Sequence, residues 1–455
     1  MNSSLVFAAN ATGGTLTGAD REFDGVSTDT RTLAPGNLFV ALSGPNFDGA
    51  DYLDTALERG AVAAIVTARR DVDLPQIEVD DTRAALGRLG AAWRDARDVS
   101  VIGITGSNGK TTLKEMTRAI LERVAPTLAT AGNLNNEIGV PLMLCRLDDT
   151  HRFAVIEMGA NHAGEIAYLT GLAKPDVVAL TNAGPAHLEG FGSIDGVARA
   201  KGEILAGEPR PELAILNADD EYFDFWQTIA ADIKSLSFGL TDTADVTAVD
   251  IRLDAAGSRF RLCLPGGDTV DVRLVLTGEH NVRNACAAAA IAVGVGVAPA
   301  DIASGLAAVR PVEGRLAGIE GRNGSTIIDD SYNANPTSVA VAADFLASLA
   351  GTGIFVLGDM GELGAEAEAM HRASGRDIRE AGVTRLLAIG PLSKAAVEGF
   401  GPGGEWFDDE DALIDRAAEL LAPGVTMLVK GSRLAGMERV VGALAAVPRA
   451  AGEVH

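Results

Sequence analysis

The chain has 455 residues, of which 47% are apolar and 22% charged; that composition fills large cores, and the length allows roughly three domains. Its 62 acidic against 38 basic side chains leave a formal net charge of -24, which repels nucleic acid and anionic lipid and argues against either as a partner. The start MNSSLVFAANATGG lacks the parts of a signal peptide, no apolar run reaches the length of about 18 residues that spans a bilayer, and Cys145, Cys263 and Cys286 fit no disulfide framework or zinc spacing, so the expected protein is cytoplasmic and free of membrane.

Residues 1–97 carry short strand patterns (NLFVAL, AAIVT, QIEV) and helical ones (YLDTALERG, TRAALGRLGAAWRDA), which predict a small α/β domain ending in the charged RDARD. From Val99 the pattern becomes strand–helix alternation. VSVIGIT, FAVIE, DVVALTN and ELAILN have buried-strand length, and LKEMTRAILERV and GVARAKGEILAG lie between them as helices. That alternation predicts a parallel sheet covered on both faces, with ligands at the carboxyl ends of its strands. Residues 243–277 alternate around Gly-rich turns and read as an antiparallel appendage, followed by a helix at NVRNACAAAAIAVGV. Near Pro311 a third unit begins, with strands TIIDDS, GIFVLGD, RLLAIG and VTMLVKG in a second open α/β sheet ending near residue 447; the tail PRAAGEVH is expected to be mobile. The expected fold class is α/β in three domains: a small N-terminal domain (1–97), a central P-loop parallel-sheet ATPase domain (98–310) and a C-terminal Rossmann-like domain (311–455).

The stretch VIGITGSNGKTTLKEM is a strand, a Gly-rich turn and a helix start. Backbone N–H groups of Gly106, Ser107, Asn108, Gly109, Lys110, Thr111 and Thr112 suit phosphate oxygens at a positive helix end. Lys110 would reach the outer phosphates, and the Thr111 hydroxyl would ligate Mg²⁺. The match is incomplete, because Ile104 stands where the P-loop pattern has its first glycine. Glu157, at the end of FAVIE, is the strand-end carboxylate such a metal needs. His187 lies just past DVVALTN on the ligand edge, where a neutral imidazole suits a second cation. Lys201 in ARAKGEIL reads by itself as a solvated helix lysine. No GxGxxG follows a strand at the start of either large unit, which excludes an NAD-binding reading.

In order along the chain, TGSNGKTT, TAGNLNNEIGVP, IEMGANHAGEI, AHLEGFGS, AKGEI, GEHNVRNA, EGR, DDSYNANP, GDMGELG and VKGSR resemble the Mur ligase family over nearly the whole chain. NLNNEIG, DDSYNANP and GDMGELG resemble the branch that adds D-alanyl-D-alanine. The resemblance implies ATP-dependent, ADP-forming amide synthesis. A carboxylate of UDP-N-acetylmuramoyl-tripeptide takes the γ-phosphoryl group, and the amine of D-alanyl-D-alanine displaces phosphate. It further implies that Lys110, Glu157, His187 and Lys201 are catalytic. Thr111, Glu157, His187 and Lys201 would hold two Mg²⁺, Lys201 as a CO₂-derived carbamate. Asn281 and Asn284 would meet adenine, and Arg315 and Asp330 the phosphates and ribose. Ser27, Thr28, Asp29, Arg31 and Asp48 would form the uridine-nucleotide site. Asn133, Asn135 and Asn136 would line the muramyl-peptide side, and Asn333 and Asn335 would place the dipeptide. The family also implies a monomer, and the three-unit layout predicts that the third unit closes over the site about a hinge at 309–314.

Two alternatives stay open from the sequence. One is another Mur ligase or a folylpolyglutamate synthase-like ligase, with an amino acid as acceptor. The other is a P-loop switch that signals through a partner, which would need neither a carbamate lysine nor a third α/β unit.

Overall fold

The computed structural model describes residues 1–44, 47–254 and 257–447. Two positions of SGPNFDG, Pro45 and Asn46, and the tail PRAAGEVH lie outside the described residues.

Three sheets organise the chain. The first has five strands in the order Thr15–Thr17, Gln76–Glu78, Ala63–Val66, Asn37–Val40, Gly25–Ser27. All neighbours are parallel except the first pair. Leu38, Val40, Ile65 and Ile77 point into one core beneath the helix Thr82–Asp95, which buries Ala85, Leu86 and Leu89 at helical spacing. Asp81 caps that helix by accepting from Arg83 N and Ala84 N, an arrangement worth about 1 kcal/mol. The opening residues form a helix, Leu5–Thr12, capped by Ser4 and ended by Gly13 at φ 70°. Its short run of mixed small residues gave no periodic signal in the sequence.

The middle sheet has six parallel strands in the order Thr127–Ala129, Phe153–Glu157, Ser100–Thr105, Val177–Leu180, Leu213–Asn217, Lys234–Phe238. Ser100–Thr105 comes first in the chain yet sits inside, so the strand order reverses at its edge. A crevice opens there at the carboxyl ends, the place where open α/β sheets bind ligands. The helix Lys110–Leu121 leaves this crevice and buries Leu113, Met116, Ile120 and Leu121. Against it packs Glu279–Gly294. The alanines of that helix are buried on every side, which lets it lie close to its neighbours. Thr247–Asp254, Gly257–Cys263 and Thr269–Leu274 form the expected antiparallel appendage.

The third sheet runs Ala317–Glu320, Thr326–Asp330, Val425–Lys430, Thr352–Gly358, Arg385–Ile389, Gly404–Phe407. It is parallel apart from the antiparallel edge strand Ala317–Glu320. Leu346, Phe355 and Leu386 form a core on one face, and Val356, Leu413 and Val440 on the other. Asp330 and Lys430 end adjacent strands on the side that faces the middle sheet's crevice. Among the described residues no helix is long and apolar enough to cross a membrane.

Candidate active site

The turn after Ser100–Thr105 requires glycine twice. Gly106 has φ 141°, and a Cβ there would stand 1.9 Å from Thr181 Oγ1. Gly109 has φ 84°, and its Cβ would meet Asn284 Oδ1 at 2.8 Å. Both conformations are strained for any residue with a side chain. The neighbouring strand end holds the turn in place. Ser107 N donates to Asn182 O at 3.0 Å and Asn108 N to Asn182 Oδ1 at 2.9 Å, while Thr181 Oγ1 donates to Asn108 O at 2.7 Å. Lys110 folds back over the turn, with Nζ donating to Gly106 O at 2.6 Å and Ser107 O at 3.2 Å. Burial pushes its pKa down, and the Glu157 carboxylate opposes that.

Glu157 is buried at the end of its strand. Oε2 accepts from Thr111 Oγ1 and Oε1 from Asn135 Nδ2, each at 2.9 Å. A loop hydroxyl and a strand-end carboxylate therefore meet beside the phosphate cradle. His187 lies at the rim, and the Glu362 carboxylate from the third sheet contacts its Nδ1. Burial lowers the pKa of His187. Glu362 opposes this, and Lys110 and Lys201 reinforce it.

Lys201 is not the solvated helix lysine that its local sequence suggests. It is 1% exposed, with Nζ donating to Ala160 O at 3.2 Å and lying 5.1 Å from the centre of the Phe191 ring. Burial, with the nearby Lys110 charge, brings its pKa down to about 7. The helix Ile194–Gly202 turns this residue inward beside Val197, Ala198 and Ala200, all buried.

These groups surround a cavity of about 940 Å³ shared by the middle and third sheets. Ser107 to Thr112 line it, as do Glu157, His187, Asn281, Asn284, Arg315 and Asp330; Gly106 and Lys201 do not. Asn281 Nδ2 donates to Thr277 O at 2.8 Å. The Arg315 guanidinium stacks 4.2 Å over the Tyr332 ring, and its Nε is buried without a hydrogen-bond partner. Asp330 pairs with Lys430 at 2.7 Å and accepts from Leu316 N. Burial pushes the Asp330 carboxyl up, against the pull of Lys430.

Asn133, Asn135, Asn136, Asn333 and Asn335 also reach the cavity wall. Asn136 Oδ1 accepts from Gly139 N at 2.9 Å, and the Asn333 carbonyl accepts from Lys430 Nζ at 2.8 Å. Asn335 caps the helix Pro336–Ser348 in a reciprocal pair with Ser338, and its Nδ2 donates across the gap to Asn108 Oδ1 at 2.9 Å.

The N-terminal candidates are not brought to this cavity: none of Ser27, Thr28, Asp29, Arg31 and Asp48 lines it. Asp29 and Arg31 form an exposed fork with contacts of 2.6–3.0 Å, and Ser27 Oγ donates to Asp29 O. Asp48 accepts from Ser43 Oγ and Ala50 N and pairs with Arg70 at 3.1 Å. Thr28 follows the strand Gly25–Ser27 in the same turn.

Among the cavity groups that sequence reasoning missed are Thr181, Asn182, Tyr332 and His280. Thr181 and Asn182 support the loop directly, and their signal was the polar pair at the end of DVVALTN. Tyr332 stacks on Arg315. His280, next to Asn281 in GEHN, is brought down to about 4 by burial, with Arg283 and Lys430 adding to the shift, and so stays neutral.

Among the described residues no three His, Cys, Asp or Glu side chains gather as a metal cluster. The oxygen donors that meet are the Thr111 hydroxyl and the Glu157 carboxylate; they suit Mg²⁺, which takes few protein ligands and keeps water and phosphate oxygens, whereas an unmodified lysine offers such an ion no ligand. The contact between Thr111 and Glu157 fits such an ion.

A phosphate loop at a sheet's switch point, completed by charged groups from another α/β sheet, defines a multidomain nucleotide-binding protein of the P-loop class. The chain belongs to the Mur ligase family. Three of its family descriptions match in succession: "Mur ligase family, catalytic domain" over residues 22–94, "Mur ligase middle domain" over 104–292 and "Mur ligase, glutamate ligase domain" over 314–433. The chain is 48% identical over 434 residues to the UDP-N-acetylmuramoyl-tripeptide–D-alanyl-D-alanine ligase of Escherichia coli (strain K12), covering 95% of this chain and 96% of that one. It resembles a crystal structure of MurF from Acinetobacter baumannii with a TM-score of 0.92 and 38% identity, over 97% of this chain and 98% of that one. The MurF ligase of Thermotoga maritima in complex with ADP gives a TM-score of 0.80 at 27% identity, over 92% and 96%.

Proposed function

We propose that this chain is an ATP-dependent, ADP-forming ligase that joins D-alanyl-D-alanine to UDP-N-acetylmuramoyl-tripeptide in peptidoglycan precursor synthesis. The observation that carries the reading is the single cavity into which the phosphate loop and the third sheet's Arg315, Asp330 and Asn335 all project. Similarity over almost the whole length to a ligase of that name supplies the substrates.

The chemistry follows from the substrates. A carboxylate resists amine attack because its leaving group is oxide. Transfer of the γ-phosphoryl group from ATP to the tripeptide's terminal carboxylate gives an acyl phosphate and ADP. The dipeptide's amine attacks the acyl carbon, a proton leaves the nitrogen, and phosphate departs. Transfer between two anions depends on positive charge and alignment. Lys110 and the loop N–H groups serve the β- and γ-phosphates. Asn281 and Asn284 take the adenine side, and Arg315 and Asp330 take the phosphates and ribose. Asn133, Asn135 and Asn136 face the muramyl peptide, and Asn333 and Asn335 face the dipeptide. Ser27, Thr28, Asp29, Arg31 and Asp48 hold the uridine nucleotide on the first sheet.

Thr111 and Glu157 would hold one Mg²⁺, and His187 with Lys201 a second; the ions supply charge neutralisation at the phosphates. Lys201 suits carbamylation because a buried ammonium with one carbonyl acceptor is costly. Its neutral amine adds CO₂ and loses a proton, leaving an anionic oxygen ligand.

We divide the chain at 1–97, 98–310 and 311–455 and place a hinge at 309–314, just after the helix Pro299–Ala308. Closure about it would exclude water from the acyl phosphate. The working form is a cytoplasmic monomer. The test is ADP release from ATP and UDP-N-acetylmuramoyl-tripeptide, with and without D-alanyl-D-alanine. Dipeptide-dependent release with a new amide in the mass spectrum is expected; release indifferent to the dipeptide would contradict the reading.

A further inference from the structure

Two residues facing each other across the gap between the middle and third sheets hold left-handed backbone without being glycine: His187 at φ 54° and Glu362 at φ 59°. Such conformations persist only where the surroundings over-determine them, and they concentrate at working sites. Here the two side chains meet, the Glu362 carboxylate lying against His187 Nδ1. The backbone doubles the contact, because Glu189 N donates to Glu362 O at 3.3 Å.

The loop that carries Glu362 follows the strand Thr352–Gly358 and is pinned on both sides. The Asp359 carboxylate accepts from Ser393 N and Oγ, each at 2.7 Å, and the Asp359 carbonyl accepts from Ser432 N at 2.9 Å. Met360 N donates to Nε2 of the fully buried His371, whose Nδ1 donates to Ala367 O at 2.7 Å. The GDMGELG stretch is thus a braced arm that aims one carboxylate at one imidazole.

The pair has little value as a structural tie. Its side chains are 25% and 47% exposed, and ion pairs in such surroundings add little to stability. Nδ1 is buried, and no other group satisfies it. Glu362 is therefore the acceptor at hand for a proton on Nδ1. With that nitrogen committed, Nε2 is left as the lone-pair donor of a residue that lines the phosphate cavity.

We propose that Glu362 is a positioning residue for the ligase reaction: reaching from the third sheet, it holds His187 in the Nδ1–H tautomer and so presents Nε2 to the phosphate cavity. A carboxylate behind an imidazole commonly sets tautomer and ring orientation at metal sites. The carboxylate here arrives from another sheet, so His187 is readied only when that sheet is in place. The inference rests on the ligase reading for the role of His187; the tautomer does not depend on it.

The test uses the full chain labelled with ¹⁵N-histidine, with His187 assigned through His187→Gln. Long-range proton–nitrogen spectra of the unliganded protein are expected to show His187 as Nδ1–H, and Glu362→Gly to shift it toward Nε2–H. In the same variant kcat is expected to fall about 10–100-fold. Its melting temperature should hold or rise, because glycine fits φ 59° without strain. Glu362→Gln, which keeps an oxygen acceptor, should lose less. An unchanged tautomer in Glu362→Gly, or a kcat that falls only in step with folded protein, overturns the proposal. A wild-type chain without dipeptide-dependent ADP release overturns the ligase reading, and with it the role, while leaving the tautomer result to stand.

Discussion

The phosphate loop and the turn around Asp29 both start where a strand ends, and both carry charged groups, yet they are built in opposite ways. The loop is held by the chain itself: two glycines with positive φ, and hydrogen bonds with Thr181 and Asn182, define its shape. The Asp29 turn is satisfied internally. Arg31, its side chain 86% exposed, already grips Asp29 two residues away. A ligand there must exchange with an existing pair in open solvent, so each contact yields little net affinity. The difference teaches that a loop held by its own backbone is suited to orienting phosphate, whereas a turn of exposed pairs can offer a ligand only the sum of several weak contacts.

The strongest way to break this comparison is to add one carbon to the loop. Gly106→Ala would drive a Cβ into Thr181 and impose strain of about 1–3 kcal/mol. ATP binding, read by calorimetry, and turnover should be lost together. Lys201→Ala comes next. Turnover should fall about 10²–10³-fold while ATP still binds, and acetate should restore part of it by supplying a free carboxylate. Wild-type turnover in that variant would remove Lys201 from the mechanism. Asn335→Ala removes a helix cap and the bond to Asn108. It should cost about 1 kcal/mol in chemical denaturation and lower kcat more than it alters ATP affinity. The smallest effect belongs to the turn: Arg31→Ala should raise KM for the uridine substrate by less than about tenfold, with kcat unchanged and stability within about 0.5 kcal/mol.

The buried lysine adds a pH signature. Native Lys201 sheds its proton near pH 7, whereas the unfolded chain keeps it to about 10.5. Between those values the unfolded state binds more protons, so this group makes stability rise with pH. Lys201→Met should flatten that rise in melting curves recorded from pH 7 to 10 in CO₂-free buffer. An equal slope in both proteins would place the lysine's titration elsewhere.

What could be read from the sequence was what the chain encodes locally. The strand, turn and helix around Lys110 are contiguous, and Glu157 ends an apolar run, so their meeting at the sheet's carboxyl edge follows from topology. The Asp330, Asn333 and Asn335 group needed the resemblance, because contacts such as Asn335 to Asn108 join residues far apart in the chain. Lys201 was misleading for a physical reason: its helix has polar neighbours, and only the packing of Ala198 against the middle core, on a helix that also buries Val197 and Ala200, turns the amine inward. The edge strands Thr127–Ala129, Lys234–Phe238 and Gly404–Phe407 went unseen because they are short and half-solvated and lack a continuous apolar run.

The most direct test of the central claim follows one oxygen atom. UDP-N-acetylmuramoyl-tripeptide labelled with ¹⁸O in its terminal carboxylate is incubated with ATP, Mg²⁺, D-alanyl-D-alanine and the enzyme. If the carboxylate attacks the γ-phosphorus, one ¹⁸O leaves with each inorganic phosphate released alongside new amide. Phosphate free of label would show that ATP is split by water, and that the loop does not deliver its phosphoryl group to the peptide.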